Sequence, residues 1–502
     1  MRDSGEEADR RALARFRWVL GTPYFVQGTS SLTEVPILYF IKFVLGMGDA
    51  GGQVFDSLRS LGWFVKPVWG LISDRVPLFG YRRKSWFVLM AVLALAFWAA
   101  TAFLAYLGVR TPWVFLLAFN LAFSTYAFVD VVCDALMVEQ GRRLGKVGAF
   151  VNFQWAILST ANAGSVLLGG WFQAKIQSGA VDPWLVFAVT GLPPLATAVV
   201  GLRNIEEPPV AERPSAGERA AAAGLRVRQG LGWLSRALRG APAAFRRFRR
   251  ENRLMWYLVL FIFFWKFSPS VGFIERSYLI DVRDFDPTSF GVILSIGGVT
   301  FLASVLAYAW IVRRFRNVSW HGYLYAMVAI GVAAFPLSFF LYLDPGHPWW
   351  EAIYITLPDW LNPLPGWNRY QWFRLVVQTV LSFATIPAFM VPLTIAGETV
   401  RLEYAGMSYA FLMALSNVTN MFEGVVGAGL YDLMSRPAMG WLLDAFQGSW
   451  LEIAGSADAR TLILQLFVYI SLLFTLLTVP FILLLQRELR RQGVTIALAG
   501  RA

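Results

Sequence analysis

The hydrophobic positions of this chain fall into long unbroken runs, and its polar and charged positions fall between them. Hydropathy places twelve apolar segments, at 18–44, 52–73, 85–108, 113–138, 148–173, 183–203, 254–280, 287–312, 321–343, 370–397, 405–433 and 461–486. At about 1.5 Å of rise per residue, each is long enough to cross a hydrocarbon core of about 30 Å as a helix. The pattern predicts an all-α integral membrane protein. A polar N-terminus (1–17) leads into a first group of six spans (18–203). A charged linker (204–253) leads to a second group of six (254–486), followed by a tail (487–502). The linker opens Pro-rich. From Leu225 to Arg250 it spaces Leu231, Leu234, Leu238, Phe245 and Phe248 among arginines, either as an amphipathic helix on an anionic lipid surface or as a solvated linker.

Charge orients the spans. With both termini inside, the inner connections hold 32 of the 44 lysines and arginines, so the positive-inside rule predicts a multi-pass protein with cytoplasmic N- and C-termini. The outer connections 344–369 and 434–460 carry Trp349, Trp350, Trp360, Trp367 and an apolar patch from Trp441 to Phe446, and are read as caps.

Composition narrows the function. The chain is 57% hydrophobic and only 15% charged, whereas a soluble domain is nearer a quarter charged. The net charge of +12 lies mostly in the connections, so it predicts contact with membrane lipids and no nucleic acid. One cysteine, Cys133, and two histidines, His321 and His347, leave no basis for a disulfide framework or a metal cluster. With no nucleotide-binding glycine loop and no nucleophile–histidine pair, the expectation is a non-enzyme without cofactor or metal, acting as a monomer.

The halves echo each other. Gly148, Asn162 and Gly169 are spaced as Gly406, Asn420 and Gly427 are, on the fifth and eleventh spans. Internal duplication with a site at the repeat interface is the usual construction of secondary transporters.

The stretch from Trp63 to Trp86 joins spans 2 and 3 with the ordered series Gly70-Leu-Ile-Ser-Asp74-Arg75 … Gly80-Tyr-Arg82-Arg83-Lys84. It resembles the corresponding loop of major facilitator transporters, with an insertion around Pro77. Span 4 ends Asp130-Val-Val-Cys-Asp134-Ala-Leu-Met-Val-Glu139, and span 7 reads Phe261-Ile-Phe-Phe-Trp-Lys-Phe-Ser-Pro-Ser270. With Val65-Lys66-Pro67 and Phe411 to Asn417, these stretches are similar to the folate–biopterin transporter family of that superfamily. The resemblance implies the major facilitator fold, two six-helix halves rocking about a central site. It also implies proton-coupled symport of folate- or pterin-like organic anions across the plasma (inner) membrane. Three residues depart from the family pattern: Lys266 replaces a neutral polar residue, and Glu34 and Glu423 are extra acids.

A charge inside the bilayer needs a partner or a water-filled cavity. Counting along spans 2 and 4 puts Lys66 level with Asp130, and Asp134 shares the helix face of Asp130 at i+4. Lys66, Asp130 and Asp134 are therefore expected to form one cluster, either carrying the coupling proton or fixing span 2 to span 4. Lys266, about 18 Å into span 7, either meets a substrate carboxylate or pairs with Glu34 or another acid. Glu34 is a candidate anchor for a pterin ring, a proton carrier or a structural partner. Asn162 and Asn420 either bind substrate or hold helices together, and Trp265 either stacks on a planar ligand or packs. Glu423 is expected nearer an outer gate. At the inner surface Asp74 is expected to cap the start of span 11 near Tyr404. Around it Arg75, Arg82 and Arg83 would pair with Glu139 or Glu403 as a gating latch. A non-transporting receptor or assembly factor on the same fold, or a transporter of an unrelated solute, stays open as the alternative.

Overall fold

The structure, a computed structural model, describes residues 2–144, 147–209, 253–314, 319–352, 366–383 and 402–493. Among these it is all helical, with no strand beyond an isolated bridge between Leu78 and Tyr81. The first half comprises α1 (Arg2–Thr29), α2 (Glu34–Tyr39), α3 (Asp49–Leu58), α4 (Lys66–Arg75), α5 (Lys84–Tyr106), α6 (Pro112–Leu144), α7 (Val147–Gln177), α8 (Pro183–Thr190) and α9 (Pro194–Asn204). The second comprises α10 (Arg253–Lys266), α11 (Gly272–Arg283), α12 (Pro287–Arg314), α13 (Trp320–Ser338), a helix over 369–383, α14 (Leu402–Met434), α15 (Gly440–Gln447), α16 (Ala459–Leu476) and α17 (Val479–Arg491). Six of the described helical stretches are long and apolar enough to cross a membrane. The expected linker helix and Trp360 lie outside the described residues.

Several predicted spans are interrupted, and proline accounts for the breaks. A proline ring removes one backbone donor and favours the first turn of a helix. Pro67, Pro183, Pro194 and Pro480 each stand in the first turn of a new helix. Pro269 lies in the gap between α10 and α11. Between α1 and α3 the chain runs through a 3-10 turn at Ser30–Thr33 and a π turn at Phe40–Val44. Such local rewinding often marks functional segments.

Backbones meet where glycine permits. A Cβ on Gly170 of α7 would stand 2.6 Å from the Pro287 carbonyl oxygen and 2.8 Å from Gly291 Cα of α12, so the halves touch there almost backbone to backbone. Two glycines of the repeated spacing make similar close approaches. A Cβ on Gly169 would meet the Leu32 carbonyl at 2.3 Å, and one on Gly427 the Ser270 carbonyl at 1.9 Å. Each of these glycines lets a helix lie against a rewound or broken neighbour.

The buried core is distributed unevenly. Arg15 pairs with Glu206, and the Glu207 carboxylate accepts backbone N–H groups of Arg82, Arg83 and Lys84, so these segments share the face that carries the termini. Toward that face one cluster belongs to the first half alone (Leu20, Phe87, Phe128, Val132, Phe150), and another to the second half alone (Leu258, Phe261, Leu324, Ile482, Leu485). Toward the opposite face one cluster runs across both halves, joining Ile37, Phe40, Phe55 and Phe119 to Phe273, Tyr278 and Leu464. Among the described residues the buried apolar core is thus continuous across the halves at one face and divided between them at the other. Trp350 is buried against Phe340, Tyr370 and Phe373, and Trp441 of α15 stays exposed.

Candidate functional site

A cavity of about 300 Å³ lies where α3, the broken stretch between α10 and α11, and α14 converge. Gln53, Asp56, Ser57 and Ser60 line one wall, Ser270, Gly272 and Arg276 a second, and Asn417, Asn420, Met421 and Glu423 a third, with Trp63 and Phe64 beside them. The lining comes from both halves. The broken helix supplies backbone groups as well as side chains. Ser270 N–H donates to the Glu423 carbonyl at 2.8 Å, and Phe273 N–H donates to Gln53 Oε1 at 2.8 Å, so α14 and α3 satisfy amides that the break frees.

Behind this cavity four charged side chains close a ring. Arg59 donates to Glu34 (2.7 Å) and Asp56 (2.7 Å), and Arg276 donates to the same two carboxylates, each at 3.0 Å. The side chains of Arg59, Asp56 and Arg276 are 12–16% exposed and that of Glu34 32%, so three of the four lie largely out of water. Two guanidiniums facing two carboxylates leave it neutral, which is how buried charge is tolerated. Glu34, Asp56 and Arg59 come from the first half and Arg276 from the second, so the ring bridges them.

A second cluster lies within the first half. Lys66 Nζ donates to Asp130 at 2.5 Å and sits 4.6 Å from the centre of the Trp63 ring. Tyr24 Oη donates to Asp134 at 2.8 Å. The three residues expected from depth counting come together with Tyr24 added, and two carboxylates here face one lysine.

A third network closes the face opposite the termini. Lys42 donates to Asp281 (2.8 Å) and to Ser277 (2.6 Å); Arg460 donates to Asp281 (2.9 Å), Asp49 (2.9 Å) and Ser277 (3.0 Å). Tyr431 Oη reaches Asp49 at 3.0 Å. These bonds tie Lys42 and Asp49 of the first half to α11, α14 and α16. Partial burial opposes charge on Asp281, but the hydrogen bonds from Lys42 and Arg460 outweigh it and hold the carboxyl below the ordinary aspartate range.

The other expected residues separate. Asn420 lines the cavity, whereas Asn162 Nδ2 donates to Ser31 Oγ at 2.5 Å and joins α7 to the segment after α1. Trp265 stacks on Phe261, ring centres 6.2 Å apart, among the packing residues of the second half. Lys266, at the end of α10, lies within electrostatic reach of Glu423. Glu34 is held by Arg59 and Arg276 instead. Glu423, expected nearer an outer gate, lines the cavity; the network at the face opposite the termini uses Lys42, Asp49, Asp281 and Arg460. At the termini face Arg83 pairs with Glu139 at 3.1 Å, both from the first half. The Arg82 amide is bound by Glu207. The side chains of Asp74, Arg75 and Glu403 lie outside the described residues. Asp56, Arg59 and Arg276 were not singled out from the sequence. All three are charges inside predicted spans, which is the signal that would have found them.

The sequence profile described as the BT1 family matches residues 27–334. A curated folate-biopterin transporter of Synechocystis sp. is 27% identical over 479 residues, covering 92% of this chain and 80% of that one. The probable folate-biopterin transporter 4 of Arabidopsis thaliana is 28% identical over 209 residues, 40% of each chain. Among solved structures, the POT family transporter PepTSo superposes with a TM-score of 0.63 at 11% identity, over 95% of this chain and 99% of that one. A bacterial homologue of the lysosomal transporter Spinster gives 0.58 at 14%, over 96% and 98%. Likeness at this identity concerns the fold, which is that of these two-half helical transporters.

Proposed function

This chain belongs to the BT1 family, and on that premise we propose that it is a secondary active transporter of folate- or pterin-like organic anions, driven by protons and working by alternating access. The observation that carries the reading is the polar cavity at the joint between the halves, bordered by a neutral ion ring and closed at one face. Charge held inside a membrane is costly, and a scaffold or receptor gains nothing from placing it beside a two-sided cavity. The donors and acceptors on the cavity wall, with Trp63 and Phe64 alongside, suit a flat heterocycle whose edge alternates donors and acceptors and whose faces are apolar. A volume of about 300 Å³ is at the lower end for ligand sites, as expected of a closed or partly closed state.

In this reading Asn420, Lys266 and Glu34 act at or around the substrate site, with Asn162 and Trp265 supporting it. Lys66, Asp130 and Asp134 carry the coupling proton. Lys66 balances one of the two aspartates, so a single added proton makes the cluster neutral, and its release restores a net negative charge. Tyr24 keeps a hydrogen bond on Asp134 through that change. Asp74, Arg75, Arg82, Arg83, Glu139 and Glu403 form the latch of the termini face, which closes when Asp74 reaches the first amides of α14. With those termini in the cytoplasm of an inner-membrane protein, the present arrangement faces inward.

The test is uptake into proteoliposomes. Radiolabelled folate or biopterin should accumulate when the side bearing the substrate is made acidic, and accumulation should collapse with a protonophore. Folded protein that moves neither compound under a proton gradient would overturn the proposal.

A further inference from the structure

Arg276 has two roles in the geometry. It is one quarter of the ion ring, and it is also a wall of the cavity. Its Nε donates to the Gly272 carbonyl at 3.1 Å, its two terminal nitrogens to Glu34 and Asp56, each at 3.0 Å. Each nitrogen already has a partner within the chain, and the ring around it is neutral. A third carboxylate arriving from the cavity meets a guanidinium whose two terminal nitrogens are already held by Glu34 and Asp56, and three carboxylates crowded on one guanidinium are opposed by their like charge. The incoming carboxylate is therefore accommodated by exchange, one of the two moving off toward its other partner.

The geometry identifies the group that gives way. Asp56 lines the cavity, and Glu34 is not among its lining residues. Asp56 also keeps a second partner, because Arg59 Nε holds its other oxygen at 2.7 Å. Leaving Arg276 exposes no orphaned charge, whereas an aspartate with one partner would pay the full cost of desolvation. We propose that Arg276 is a carboxylate-exchange site, where a ligand carboxylate replaces Asp56 on the guanidinium. The Asp56–Arg276 bond joins α3 of the first half to α11 of the second, so the same exchange loosens the joint between the halves. Ligand binding and release of that joint then share one bond. The ligand class is a flat polar ring bearing at least one carboxylate; a ring lacking the carboxylate binds without exchange. The inference rests on the substrate reading above.

Folate and biopterin supply the test, since they share the pterin ring and only folate carries carboxylates. Binding of each to purified full-length protein is measured by calorimetry, with thermal unfolding as a check on folding. Arg276→Gln should weaken folate by about tenfold or more, since a charge-assisted contact is lost, and weaken biopterin, which has no carboxylate to place there, by a smaller factor. Arg276→Lys, which keeps the charge but not the fork, should fall between. Asp56→Asn should tighten folate binding several-fold, because the competitor for Arg276 has lost its charge, and should not tighten biopterin, which has no carboxylate to gain from the exchange. Opposite signs for Asp56→Asn and Arg276→Gln distinguish exchange from a structural ring, in which both changes weaken both ligands. If the wild type binds the ligands but Asp56→Asn weakens folate as Arg276→Gln does, the exchange alone is overturned. If the wild type binds neither, the substrate reading falls and the exchange falls with it.

Discussion

Replacing Arg460 by glutamine should open the face opposite the termini. Arg460 begins α16 and donates to Asp49, Asp281 and Ser277. Only the Asp49 bond crosses between the halves; the Asp281 and Ser277 bonds hold the guanidinium in place to make it. Side-chain exposure of 20–37% in these pairs places them between surface and buried ion pairs. Surface pairs contribute about 0–1 kcal/mol and the loss of a fully buried partner about 3–5 kcal/mol. With Lys42 still bridging to Asp281 and Ser277, the loss is about 1–2 kcal/mol, which is about 5- to 30-fold in the ratio of the two states. The assay is labelling of a cysteine at Asn420 (N420C), on the cavity wall, with an impermeant thiol reagent added only at the face opposite the termini. Cys133 is buried and is the sequence's one cysteine, so the background is low. Labelling should accelerate by that factor in the Arg460→Gln protein. An unchanged rate in folded protein would refute the assignment of this network as the closure.

The same closure has a pH signature. The Asp281 carboxyl titrates below its ordinary value of 3.8. Its contribution is therefore complete above that value and is lost only as pH falls through the lowered one, so the ratio of N420C labelling rates between the Arg460→Gln and parent proteins should be the same at pH 7 and pH 5, the fall in reactive thiolate being common to both. Gly427→Ala would force a methyl against the Ser270 carbonyl, 1.9 Å from where its Cβ must sit. Such overpacking costs about 1–3 kcal/mol and should lower the thermal midpoint, while Gly429→Ala, with nothing within 4 Å, should not. Asp130→Asn leaves Lys66 without its carboxylate; accumulation driven by a proton gradient should be lost while exchange of substrate across the membrane without a gradient persists, and full accumulation would refute the coupling role.

Much of this arrangement was legible because membranes impose simple rules. Depth counting along two helices sufficed to bring Lys66 to Asp130, since a span has one direction and a fixed rise. The spacing shared by Gly169 and Gly427 pointed to an internal duplication, and each of the two glycines lies against a rewound or broken neighbour. Partner choice was less legible. Glu34 and Lys266 were each expected to look for an opposite charge, but which one depends on the breaks at 30–33 and 267–271, whose geometry no periodicity reports. The breaks turn Arg276 toward the first half, and Glu34 finds it and Arg59 there, while Lys266 is left nearer Glu423. Asp56 and Arg59 sit one helical turn apart inside a predicted span, and their significance appears only once Arg276 completes the ring.

The contact between Gly170 and Gly291 bears on how smoothly such a molecule can move. Two helices with interlocked side chains have a few preferred registers, because ridges must climb out of grooves before they settle again. Where two glycines face each other that ruggedness is absent, and one backbone can turn against the other with little to catch. The point acts as a bearing. Resistance to relative motion of the halves then lies elsewhere, in the apolar cluster and the ion pairs that join them.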